Sequence, residues 1–241
     1  MRLLCALVFL NVLLGGTETV GAQVVEIQGY VKTAGGAPIK DVYISGFGRT
    51  DESGRFKFAS DVLIKYWKAL IFDKKGFVPQ AVRLDAAHTN FDVILEPEKD
   101  VQLWEVPNCG RTKAGRDRIV GTFLKIAVPR AWKFKTGYDT DYRYYFIGYG
   151  VGEKKSWLRG GLGNMYGSSY PSAETLLSSP NYTYRRTSLG IDWRGVNREG
   201  RYWRHLGNPS LYEIYDYETD SREAADAFDR VLDGICFQPG R

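Results

Sequence analysis

From Val24 to Pro97 the chain alternates apolar and polar residues in short runs broken by turn formers. A segment patterned this way buries its apolar side chains only as strands with one face turned inward. The first run sets Val25, Ile27, Gly29 and Val31 on one face and Glu26, Gln28, Tyr30 and Lys32 on the other. Gly35-Gly36-Ala37-Pro38 then turns the chain and Val42 and Ile44 supply the next inward face. Asp51-Glu52-Ser53-Gly54 makes a tight turn, after which Phe56 and Phe58 re-enter the core. Further strands are expected at Trp67 to Phe72, Phe77 to Leu84 and Asn90 to Leu95, with Asp73-Lys74-Lys75-Gly76 as another turn. About seven short strands at this spacing predict an immunoglobulin-like sandwich. Gly36 and Gly54 suit positive φ, and Asp51 is placed to hydrogen-bond the backbone of its own turn.

The ordered set Gly29-Tyr30-Val31, Gly36-Ala37-Pro38-Ile39, Val42-Tyr43-Ile44 and Thr50-Asp51-Glu52-Ser53-Gly54-Arg55-Phe56 resembles the carboxypeptidase regulatory-like family, a transthyretin-like sandwich. Lys75-Gly76-Phe77 and Val93-Ile94-Leu95 continue the likeness, which covers residues 24–97, about a third of the chain. The resemblance implies a folding, docking or adhesion module related to carbohydrate-binding sandwiches, and not peptidase activity.

Arg2, the apolar run Leu3 to Leu14 and the small residues Val20-Gly21-Ala22 have the layout of a secretory signal over residues 1–22. The run is shorter than the roughly 20 residues a membrane span requires, and no later segment is long enough. The expected location is secreted or periplasmic, with no stable membrane span. Removing the signal removes Cys5 and leaves Cys109 and Cys236. Export favours a disulfide between them, the alternative being two buried thiols.

The 241 residues, 44% of them hydrophobic, suffice for two domains of roughly 100 residues each. Glu96-Pro97-Glu98-Lys99-Asp100 reads as a linker, and residues 101–241 as a second domain of α+β class: an antiparallel sheet with a C-terminal helix. Strand-like runs fall at Ile119 to Val128, Tyr142 to Tyr149, Tyr182 to Trp193, Arg201 to Leu206 and Leu211 to Tyr217, whereas Lys154 to Pro180 reads as loops. Ala224, Phe228, Val231 and Ile235 recur at helical spacing behind an expected N-cap at Asp220 with Glu223 three residues on. The run Ile126 to Trp132, the later strands and this helix resemble the α/β sandwiches of photosystem-associated and nuclear-transport accessory proteins. The chain is therefore expected to be mainly β.

Catalytic sets are thin. The only histidines, His88 and His205, fall in different domains, and no His-x-x-Glu or His-Glu-x-x-His ligand spacing occurs. No cofactor is expected. Gly160, Gly161, Gly163 and Gly167 lack the Lys-Ser/Thr of a phosphate loop and read as a flexible loop. Asp51 with Glu52, and Asp139 with Asp141, read as turns rather than metal ligands. Asp192, Glu199, Glu213 and Asp216 are the carboxylates from which a glycan-acting hydrolase would draw its pair.

The strongest candidate site interleaves cations and aromatics: Trp193, Arg194, Arg198, Arg201 and Trp203. If exposed, the tryptophans would stack on sugar rings and the arginines would meet acidic groups; the competing reading is a packed sheet face. On a strand, Arg201, Trp203 and His205 share one face and Tyr202, Arg204 and Leu206 the other, so one face is expected as core and one exposed. A net charge of +5, with both signs interspersed, gives little support to nucleic acid as a partner. The expected function is an exported, non-catalytic binding protein for envelope glycan or protein. The rival readings are the hydrolase and a structural piece of an envelope assembly, and oligomeric state is left open. Asn181-Tyr182-Thr183 would accept an N-glycan in a eukaryotic host.

Overall fold

The computed structural model describes residues 25–60, 69–84, 89–99, 103–110, 117–139, 142–150, 155–163, 171–188, 190–208 and 213–238. The expected signal segment 1–22 lies outside them, as do Trp67, His88, Asp141 and Gly167.

Among the described residues, seven strands build the first unit: β1 (Val25–Lys32), β2 (Tyr43–Ile44), β3 (Gly48–Arg49), β4 (Arg55–Ser60), β5 (Ala69–Asp73), β6 (Gln80–Arg83) and β7 (Asn90–Ile94). They form two sheets, in the orders β4-β1-β7 and β3-β2-β5-β6. The alternation does what it predicts: Ile27, Val31 and Phe56 from one sheet meet Ile44, Leu70 and Phe72 from the other in a single core. The turns are set locally. Gly36 and Gly54 have φ of 83° and 72°, and the Asp51 carboxylate accepts the N–H groups of Ser53 and Arg55, each at 2.9 Å.

The second unit begins with a hairpin of β8 (Asp117–Val120) and β9 (Leu124–Pro129). It continues through β10 (Lys133–Asp139), β11 (Tyr142–Tyr149), β12 (Ser156–Gly163), helix α1 (Ala173–Ser178), β13 (Thr183–Thr187), β14 (Gly190–Val196), β15 (Tyr202–Asn208) and β16 (Glu213–Thr219). Helix α2 (Arg222–Asp233) and β17 (Cys236–Phe237) close the chain. Strands β10 to β16 form one antiparallel sheet of seven in the order β10-β11-β12-β16-β15-β14-β13, and β17-β9-β8 form a smaller one. The fold class is mainly β, as expected.

Four expectations need correction. Residues 119–128 are two strands, because Gly121 at φ 107° turns the chain where a Cβ would lie 1.9 Å from the Leu124 carbonyl oxygen. Residues 182–193 are likewise a hairpin, in which Thr187 faces Gly190. The stretch 154–180 holds β12 and α1 rather than loops alone. Glycine weakens a strand on its own, but Gly160 is where the Tyr215 ring packs, and a Cβ there would meet that ring at 2.7 Å. Finally, the N-cap of α2 is Ser221, whose hydroxyl accepts the Ala224 N–H at 3.2 Å, and not Asp220.

Helix α2 lays Ala224, Phe228, Val231 and Leu232 on one face of the seven-stranded sheet, against Ile147, Leu158, Leu206, Tyr215 and Tyr217. The opposite face of β13 to β15 is not exposed. There Ile191, Trp193 and Trp203 pack with Leu176 of α1 and with Ile71 of the sandwich, and Tyr43 and Ala81 of the sandwich join them. Both faces of this half of the sheet are therefore core, and the two units are docked.

Candidate functional site

The cation and aromatic constellation divides when it folds. Trp193 is fully buried and Trp203 is 3% exposed. Neither offers a ring face to a ligand, so the condition for a stacking platform is not met and the reading as a packed sheet face is the one that holds for them. Trp193 packs against Tyr182 and Tyr184, with ring centroids 5.7 and 5.4 Å away, and the Trp203 indole N–H donates to Ser179 Oγ at 2.8 Å. Their burial follows from the docked sandwich: strand alternation put them on a common face, and Ile71 covers it.

Arg194, Arg198 and Arg201 are exposed. Arg201 is paired with Glu218 at 3.2 Å. Arg194 and Arg198 line an open groove of about 470 Å³ where the end of the β13–β15 ribbon meets α2. Tyr202, Arg222, Asp226 and Asp229 line it too. Arg222 is held in an i to i+4 pair with Asp226 at 3.0 Å and lies 5.3 Å from the Tyr202 ring centre. No described carboxylate pairs with Arg194 or Arg198. The groove thus carries two uncommitted guanidiniums on one wall and aspartates on the other, an arrangement suited to holding an acidic group.

The carboxylates that a hydrolase would need are largely engaged. Asp192, 2% exposed, accepts Arg204 Nε and Nη2 at 2.8 Å each and Arg185 Nε at 2.7 Å. Arg204 also reaches Asp229 at 3.0 Å and Asp233 at 2.8 Å on α2, so this network pins helix to sheet. Glu213, fully buried, accepts the backbone N–H groups of Thr122, Phe123 and Leu124 at 2.8 to 2.9 Å. Burial pushes its carboxyl up and those three donors pull it back down, the net direction being upward. It fastens the β8–β9 turn rather than facing a substrate. Asp216 is bound by Arg159 at 2.6 Å on the opposite face of the sheet, and Glu199 lies exposed in the turn between β14 and β15. Among the described residues no group of three or more His, Cys, Asp or Glu side chains is placed to hold a metal ion.

Sequence reasoning missed Arg186. It is 7% exposed and donates to Glu98 at 2.7 Å, to Asp73 at 2.8 Å and to the Lys74 and Phe77 carbonyl oxygens at 3.0 and 2.8 Å. This one guanidinium from β13 gathers the edge of the sandwich and the start of the linker. The acidic residues flanking Lys74 and Pro97 were the available signal, but nothing in the sequence says which cation they meet. Trp104 continues the junction by pairing with the β13 edge, while the Arg185 guanidinium lies 3.7 Å over its ring.

The expected disulfide is present: Cys109 and Cys236 are bonded across a separation of 127 residues. No helix among the described residues is long and apolar enough to cross a membrane. No family model matches the chain, and no curated protein matches its sequence.

Proposed function

We propose that this chain is an exported, non-catalytic binding protein that recognises envelope glycan or protein through an acidic group held in the groove beside α2. In this reading the sandwich over residues 24–97 belongs to the carboxypeptidase regulatory-like family and acts as a docking module, seated on the second unit by Arg186 and the buried tryptophans. One observation carries the proposal. Arg194 and Arg198 stand exposed and without described carboxylate partners on a groove, while Asp192 and Glu213 of the same sheet are consumed in structural contacts. A desolvated carboxylate or phosphate held by two guanidiniums is a strong, charge-assisted contact. The disulfide is consistent with an oxidising compartment.

The test is retention of mature protein on purified envelope glycan and on intact envelopes, with Arg194→Ala/Arg198→Ala beside it. Loss of retention in the double variant, with an unchanged thermal melt, is the expected result. Equal retention by both proteins rejects the groove.

A further inference from the structure

The antiparallel register shows where a second surface lies. Trp203 and His205 on β15 stand opposite Glu218 and Asp216 on β16, and Asp216 stands opposite Arg159 on β12. Arg159 in turn stands opposite Phe146 and then Lys135, while Trp157 stands opposite Gly148 and then Lys133. Directly opposed residues share a face. The face that the sandwich covers at β13 to β15 therefore continues across β10, β11 and β12, where none of the three buried clusters includes its side chains.

That half, which no described cluster covers, has a definite construction. Glycines are seats for rings on it. A Cβ on Gly137 would lie 2.1 Å from the Tyr144 hydroxyl, and one on Gly148 would lie 3.0 Å from the Trp157 ring. Tyr144 and Trp157 thus lie down over glycines rather than standing off the sheet, with Phe146 between them at centroid distances of 5.6 and 6.3 Å. Lysines rim the rings. Lys135 and Lys155 place their ammonium groups 6.0 and 5.6 Å from the Trp157 ring centre, and Lys133 and Lys135, two residues apart on β10, stand roughly 7 Å apart along the strand. No described carboxylate pairs with any of these three lysines. Lys133 beside Lys155 holds the Lys155 amine below its ordinary value, with desolvation and Lys135 acting in the same direction. Like charges gathered without counter-charges among the described residues, beside flat π faces, make a surface suited to an anion that also has a stackable ring.

We infer that the outer face of β10 to β12 binds an anionic polysaccharide, with Lys133, Lys135 and Lys155 meeting its acidic groups and Trp157, Phe146 and Tyr144 stacking on its sugar rings. A membrane surface fits less well, because rings lying over glycine seats do not project to enter the acyl boundary. Nucleic acid shares the charge and stacking requirement, but a chain with a Cys109–Cys236 disulfide belongs where thiols are oxidised. The inference does not depend on the arginine groove, which lies beside α2.

The experiment titrates mature, disulfide-intact protein with polygalacturonate, neutral dextran, a single-stranded oligonucleotide and phosphatidylglycerol vesicles over a range of salt. Expected are binding of polygalacturonate that weakens with salt, none of dextran, and a loss of at least about tenfold in Lys133→Gln/Lys135→Gln/Lys155→Gln. Trp157→Leu should weaken binding while leaving the salt dependence in place, and far-UV circular dichroism checks that both variants are folded. No binding of polygalacturonate overturns the inference, as does unchanged affinity in the lysine variant. Preference for the oligonucleotide or the vesicles overturns it too. Loss confined to Arg194→Ala/Arg198→Ala assigns the ligand to the groove and removes it from this face.

Discussion

Arg204 is fully buried in a β-sheet protein, and only the carboxylates it meets make that position tenable. Asp192 takes it side-on through two 2.8 Å contacts, and Asp229 and Asp233 reach down from α2 to its remaining N–H groups. Tyr217 also donates to Asp229 at 2.9 Å, and burial pushes its phenol up. Asp233 makes the pH dependence visible. Burial opposes its ionisation, and the Arg204 and Arg185 guanidiniums outweigh burial and hold the carboxyl below the ordinary 3.8. A group with a lowered folded value contributes stability that is complete well above 3.8 and drains away as pH falls through the folded value. Asp233 is half exposed, so solvent screens the effect and keeps it modest. Carbon-detected carboxyl titration should put the Asp233 midpoint below 3.8, and the acid limb of the stability curve should be shallower in Asp233→Asn. Superimposable limbs reject this account. The sequence showed Arg204 alternating with Trp203 and His205, but its partners lie 12, 25 and 29 residues away. Glu199, the carboxylate nearest to it in sequence, lies instead in an exposed turn.

At the scale of elements, alternation identified which side chains share a face but not what covers that face. Val42, Ile44, Phe56 and Leu70 were assignable because the sandwich is its own cover. The face of Trp193 and Trp203 was not, because Ile71 and Tyr43 cover it from a strand pair more than a hundred residues earlier. One clue was present. In β5 the run Ala69-Leu70-Ile71-Phe72 is apolar without a break, and all four residues are buried. Leu70 and Phe72 fill the sandwich and Ile71 fills the junction, as expected of a strand covered on both sides. Strands β10 and β12 escaped notice for a different reason, since Lys-Phe-Lys-Thr-Gly and Arg-Gly-Gly-Leu-Gly put charge and glycine where β propensity looks for branched residues. The junction predicts its own weak point. Arg186→Gln takes the guanidinium away from Asp73 and Glu98, which are 13% and 11% exposed. The cost should be about 2 to 3 kcal/mol by urea titration, since the charge-assisted contacts of Arg186 to two carboxylates and two carbonyl oxygens are lost together. Asp73→Asn/Glu98→Gln added to Arg186→Gln should recover part of it. A single variant within about 0.5 kcal/mol of wild type, the scatter of ordinary surface substitutions, rejects Arg186 as the clamp.

Across the whole molecule the chain returns to its own midpoint. After α2 the described residues form the two-residue β17 against β9, pairing Cys236 with Lys125 and Phe237 with Leu124. The Phe237 N–H donates to the Pro107 carbonyl, and the Cys109 N–H donates to the Phe237 carbonyl, each at 2.8 Å. With the Gln238 N–H donating to the Phe123 carbonyl at 2.8 Å, two residues of ladder and three flanking hydrogen bonds are still too few to hold this segment by themselves, since each hydrogen bond nets only about 1 kcal/mol. The Cys109–Cys236 bond makes this contact permanent, and in doing so ties together the first and last parts of the second unit across 127 residues. In the chain-entropy model, closing a loop of that length removes denatured-state freedom worth about 5 kcal/mol. Cys109→Ser/Cys236→Ser should therefore lose close to that amount of unfolding free energy, with hydrogen exchange rising first at Ile235 to Gln238. The Arg194 groove and the Lys155 face lie on other elements, so ligand affinity should not change. A loss below about 1 kcal/mol would mean that β17 and its hydrogen bonds already hold the terminus when the bond is absent. Loss of binding in a variant that still melts cooperatively would mean that the bond shapes a recognition surface as well as the fold.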